Sequence, residues 1–132
     1  MEQILPLIEQ YYYMKDGEFI QNYDSFFIVF EDEIEVRLRY KTIKHIVESR
    51  KRDNYTIQNI VDLLKRVPGV LFEYRYKVFE TKNNSYLLVE TGVKGSALVV
   101  VLDINHENDS PHIKTAFFRA VTKSDKTKNP PR

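Results

Sequence analysis

The sequence has no cysteine, only 4 glycines and 5 prolines, and no long apolar run. Without cysteine there is neither a disulfide scaffold nor a thiolate metal site, and the composition suits a reducing, cytoplasmic setting. Scarce glycine and proline, beside 42% hydrophobic and 30% charged residues, mark a globular chain rather than a disordered or fibrous one. No window reaches the roughly 18 apolar residues of a membrane span. The segment from Met1 to Gln10 has no basic region and meets Glu9 before any long apolar stretch. Neither a signal peptide nor a membrane partner is therefore expected. The GxGxxG and P-loop signatures, HExxH and GxSxG are also absent, which disfavours nucleotide-binding loops, zincins and α/β-hydrolases.

A length of 132 residues fits one core and leaves little room for two. We expect a single domain over residues 1–121 and a disordered tail over 122–132, where apolar residues cease. The net charge of +1 hides a division: residues 1–39 carry −6 and the remainder +7. A basic part of that kind suits a polyanionic partner, although charge solvated over two surfaces gives the same count.

Ile4, Ile8, Tyr11 and Tyr12 recur at helical spacing, so the pattern predicts a short helix over residues 2–14. Phe26 to Phe30 and Glu33 to Leu38, parted by Glu31-Asp32, read as a hairpin. Tyr40, Ile43, Ile46 and Val47 then fall on one helical stripe up to about Arg52. A second helix follows, capped by Asn54 or Thr56, carrying Ile57, Ile60, Val61 and Leu64, and stopped by Pro68-Gly69. From Val70 the period becomes two, which predicts a strand through Phe79. Asn83-Asn84 and Lys94-Gly95 separate that strand from Tyr86 to Thr91 and from Ser96 to Leu102, and the last strand runs from His112 to Val121. The expected fold is α+β: an N-terminal helix and hairpin, a helix pair, then an antiparallel sheet of about four strands. One sheet face would pack on the helices and the other would present polar and cationic side chains.

Metal chemistry is poorly supported by the residue types. The run Asp103 to Asp109 alternates oxygen ligands but lacks the central glycine of a calcium loop, with Lys114 where a bidentate glutamate belongs. His106 and His112 have no evident third ligand. What remains is histidine, lysine, arginine, threonine and tyrosine, the set a metal-independent ribonuclease needs. One group takes the 2′-hydroxyl proton, another protonates the leaving 5′-oxygen, and cations stabilise the phosphorane, so no cofactor is required. Imidazole titrates near neutral pH, which makes His45 on the first long helix the natural proton-transfer candidate. Its ordinary alternative is a half-exposed helix residue covering the core edge. On the last strand Thr115 and Arg119 share a face with Ile113 and Phe117, so Thr115 and Arg119 are expected to meet one phosphate together with His45. A plain β-former and a solubilising end would look the same. Arg75 and Lys77 project together from the predicted strand at Val70 to Phe79 and are candidates for steering an RNA backbone, with a solvated strand face as the alternative.

Three strings carry a resemblance: Lys44-His45-Ile46-Val47-Glu48-Ser49-Arg50, Val61-Asp62-Leu63-Leu64-Lys65-Arg66-Val67 before Pro68, and His112-Ile113-Lys114-Thr115-Ala116-Phe117-Phe118. Together they resemble the phage and toxin branch of the barnase, EndoU, colicin and RelE-like (BECR) nuclease superfamily, over roughly residues 36–121. The resemblance implies a helix pair before a four-stranded antiparallel sheet, and metal-free RNA cleavage to a cyclic phosphate between helix end and sheet. It also implies catalytic roles for His45 and Thr115. Where some relatives have a second histidine soon after the first, this chain has Arg50 and Lys51, which stabilise charge but do not shuttle a proton near neutral pH. The expected site is thus His45, Arg50, Lys114, Thr115 and Arg119, with Lys51, Arg75, Lys77 and Tyr86 contacting RNA. The expected partners are RNA and a cognate inhibitor protein. Two other functions fit the same residues: a non-catalytic RNA- or protein-binding module using Tyr74, Tyr76 and Tyr86, and an immunity or antitoxin-type protein using the acidic hairpin.

Overall fold

The computed structural model describes residues 4, 6, 7, 18–20, 25–30, 34–93, 96–103 and 111–121. The helix expected over residues 2–14 lies for the most part outside them, as do the hairpin tip, the Lys94-Gly95 turn, the loop containing His106 and the tail. Of that first stretch, Ile4 is buried in the main core.

The architecture is α+β. Strands β1 (Glu18–Ile20), β2 (Ser25–Phe30) and β3 (Ile34–Arg39) precede helices α1 (Tyr40–Arg52) and α2 (Ile57–Glu73). Strands β4 (Tyr76–Glu80), β5 (Ser85–Val93), β6 (Ser96–Asp103) and β7 (His112–Ala120) follow. The expected hairpin forms, with Phe30 opposite Ile34 and Ser25 opposite Arg39, and β4 to β7 make the expected antiparallel run. The hairpin does not stand apart, however. It extends the sheet, in the order β1-β2-β3-β7-β6-β5-β4, through a short parallel junction at Arg37 and His112, so the sheet is mixed.

α1 ends in hydrogen bonds from Asn54 N–H to Lys51 O and from Tyr55 N–H to Arg50 O, each 3.0 Å. Asn54 adopts φ 68°. This is a Schellman closure, with asparagine in the left-handed position that glycine usually takes. Of the two caps considered for α2, Thr56 is the one used, its Oγ1 accepting from Asn59 N–H at 3.1 Å.

α2 does not stop at Pro68-Gly69. It continues to Glu73, and the strand expected from Val70 begins only at Tyr76. Proline and glycine inside a helix cost about 3 and 1 kcal/mol respectively. Burying each of Val67, Val70 and Leu71, all within 2% of full burial, returns about 1.5–3 kcal/mol, so packing outweighs local propensity. Val67, Val70, Leu71 and Tyr74 also keep helical spacing, and all four are buried, whereas Phe72 and Glu73 are exposed.

The main core lies between the helices and one sheet face, joining Ile43, Ile46 and Val47 of α1 and Ile60, Leu63 and Leu64 of α2 to Leu88, Leu98, Val100 and Ala116. The opposite face is not the polar, cationic surface expected from alternation. It carries a second apolar cluster of Tyr76, Val89, Ala97 and Val99, flanked by Val78, Leu87, Val101 and Phe117. Tyr76 and Val78 pair with Val89 and Leu87 and so occupy the face that Arg75 and Lys77 had been assigned.

Candidate active site

β3 runs into α1 without a loop. Arg39, still extended at φ −78° and ψ 147°, occupies the N-cap position and gives no side-chain cap bond, and the first turn of α1 has no acidic residue. The first N–H groups of α1 therefore lack the side-chain acceptor that usually satisfies them, and an anion placed there is favoured by the helix dipole.

Beside this turn β7 is irregular. Leu102 pairs with Ile113 and Val101 with Thr115, so Lys114 is an extra residue, a β-bulge. Bulges reverse the alternation of faces beyond them. Ile113 therefore joins the helix-side core with Ala116, Lys114 is exposed, and Thr115 shares the face of Val101 and Phe117.

The uncapped turn and the bulge enclose a cleft of about 290 Å³. Arg39, Lys41 and Thr42 line it from the start of α1, His45 from the next turn, and His112 and Lys114 from β7. No carboxylate is among its described lining residues. Asp103 stands behind His112, pairing across β6 and β7, with Oδ2 3.5 Å from Nε2. Ser49 Oγ, 3.5 Å from His45 Nε2, accepts from Arg52 Nη2 at 3.1 Å. A hydroxyl oxygen has two acceptor sites, so Ser49 can also take the Nε2–H of His45, at the long limit of a hydrogen bond. In this arrangement Asp103 lies beside Nε2 of His112 and Ser49 beside Nε2 of His45, so each ring is oriented through that nitrogen.

The cleft gathers His45 and Lys114 from the expected set and adds His112, Arg39, Lys41 and Thr42. Thr115 does not line it, because the bulge turns that residue to the other face, and the hydroxyl in the cleft belongs to Thr42. Arg50 lies further along α1, its guanidinium 5.8 Å from the ring centroids of both Tyr55 and Phe117 and 3.3 Å from Asp53 Oδ2. Arg119 donates to the Tyr76 hydroxyl at 3.0 Å and to Ala120 O at 3.1 Å, outside the cleft. Lys51 is exposed on the last turn of α1.

Lys77 and Tyr86 do come together, Nζ sitting 5.0 Å from the ring centroid, and Phe79 packs edge-on against Tyr86 at 5.2 Å. They lie on β4 and β5, with Arg75 just before β4, and β4 is about 14 Å from β7 at the usual strand spacing. His112 was not expected as a proton-transfer group because the family pattern places a second histidine close to the first in sequence. The signal available was its place at the head of a strand opposite Asp103.

Among the described residues no cluster of three histidine, aspartate or glutamate side chains is placed to hold a metal ion, and no helix is long and apolar enough to cross a membrane. Comparison of the chain with protein-family models, curated proteins and solved structures returns no match.

Proposed function

We propose that the chain is a metal-independent endoribonuclease acting at the His45–His112 cleft. The observation that carries this reading is the composition of that cleft: two imidazoles, three cationic side chains, one hydroxyl and an uncapped helix start, with no carboxylate among the described residues that line it. This is a site for a phosphodiester that must exchange two protons while gaining charge.

In the reaction, His45 takes the proton of the ribose 2′-hydroxyl as its oxygen attacks the adjacent phosphorus. Lys41, Lys114 and Arg39 balance the charge gathered on the phosphoryl oxygens, and Thr42 donates a hydrogen bond to one of them. The bond from phosphorus to the 5′-oxygen breaks as His112 protonates that oxygen. The products are a 2′,3′-cyclic phosphate and a free 5′-hydroxyl. Asp103, with Oδ2 3.5 Å from Nε2, orients the His112 ring, as the carboxylate beside a catalytic imidazole does. With RNA as substrate, we place the protein in the cytosol.

The test is incubation of the purified protein with total RNA in EDTA beside His45→Ala. Cleavage by the parent and not by the variant supports the reading. Intact RNA in both, retained on a filter in a salt-dependent way, would indicate a binding module instead.

A further inference from the structure

A second cleft, of about 470 Å³, lies at the other end of the α1–β7 seam. Its chemistry differs from that of the first. Tyr55 and Phe118 contribute aromatic rings 6.1 Å apart between centroids and only 17° from parallel. At that separation the rings are offset rather than face to face, and they make a stepped apolar floor. The floor is fixed, because the Tyr55 hydroxyl accepts from Phe118 N–H at 2.9 Å and donates to Phe118 O at 3.3 Å. Around it stand Asn54, Asn59, Asp62 and Ser96. Asp62 accepts from Gln58 through Oδ1, which leaves Oδ2. The side chains of Asn54, Asn59 and Ser96 make no hydrogen bond among the described residues. Arg119 forms one wall and is anchored to Tyr76 and Ala120.

We infer that this cleft binds an unpaired nucleobase of the RNA strand whose phosphate lies in the first cleft, an inference that rests on the nuclease reading. A planar heterocycle with donors and acceptors on its edges is the ligand suited to an aromatic floor rimmed by carboxamides, a hydroxyl and a carboxylate. A bare phosphate is disfavoured here, since Asp62 repels it and Arg119, the cation among the described lining residues, is already held by two bonds. The spacing fits a single strand: from Lys114 to Phe118 the run of β7 is about 13 Å, a distance a few nucleotides cover. Arg50, beside Tyr55 and Phe117 and paired with Asp53, borders the Tyr55 side of this cleft.

The probes are guanosine, adenosine, cytidine and uridine, which lack phosphate and so do not report on the first cleft. Each is titrated into the full isotope-labelled chain while backbone amide resonances are followed. At least one nucleoside should shift the amides of Tyr55, Asn59, Asp62, Phe118 and Arg119. Asn59→Ala combined with Asp62→Ala, both at exposed positions, should weaken that binding about tenfold or more, as the loss of two hydrogen bonds implies. His45→Ala should leave it unchanged. Absence of shifts at those amides at millimolar nucleoside, or shifts that survive the double substitution, overturns the inference. The two readings fail separately: intact RNA in EDTA alongside retained nucleoside binding removes the nuclease but keeps the base site.

Discussion

His45 on α1 and His112 at the head of β7 line one cleft, although they are distant in sequence. On the proposed nuclease reading, two imidazoles in one cleft divide the base and acid roles, so each substitution should cost turnover by itself. His45→Ala and His112→Ala are each expected to lower kcat by about 10²–10⁴-fold. Asp103→Asn, which leaves both rings in place, should cost less. Single-turnover cleavage of a short RNA measures all three.

The bulge at Lys114 separates two threonines that a sequence pattern treats alike. Thr42→Val should slow cleavage about tenfold or more, the worth of one hydrogen bond to charge. Thr115→Val, facing Val101 and Phe117, should leave the rate unchanged. A slowed Thr115→Val with a normal Thr42→Val would put the bulge on the wrong residue.

Gly69 lies inside α2, and a Cβ built there meets nothing within 4 Å. Gly69→Ala removes backbone freedom from the unfolded chain without a clash. It should stabilise the protein by about 0.5–1 kcal/mol, seen as a higher urea midpoint at constant slope.

The Tyr55 hydroxyl serves both backbone groups of Phe118. Tyr55→Phe keeps the ring but orphans the N–H it had satisfied. The expected loss is about 1–3 kcal/mol, measured by the same unfolding titration.

The order of elements was legible because its signals are local: the stripe of Ile43, Ile46 and Val47, the Thr56 cap, and the turn at Asn83 and Asn84. Where two local signals compete, sequence alone does not decide. Val70, Phe72, Tyr74 and Tyr76 alternate as in a strand, while Val67, Val70, Leu71 and Tyr74 step as in a helix. The second pattern prevails because its members are buried against the sheet. The start of β4 moved with that decision, from Val70 to Tyr76.

The candidate site was half legible. His45 and Lys114 carry chemistry visible in their residue types. Their companions Arg39, Lys41 and Thr42 reach the cleft because β3 passes directly into α1 beside β7, and His112 because a parallel junction seats it next to Arg37. Both are long-range contacts. The bulge that removes Thr115 has no glycine or proline to announce it.

The most direct measurement of the central claim is phosphorus NMR of a dinucleotide such as cytidylyl-adenosine incubated with the protein in EDTA. We predict a 2′,3′-cyclic phosphate resonance that grows with the parent protein and is lost with either His45→Ala or His112→Ala. An unchanged phosphodiester signal with the parent protein, or a cyclic product formed equally by both variants, would contradict it.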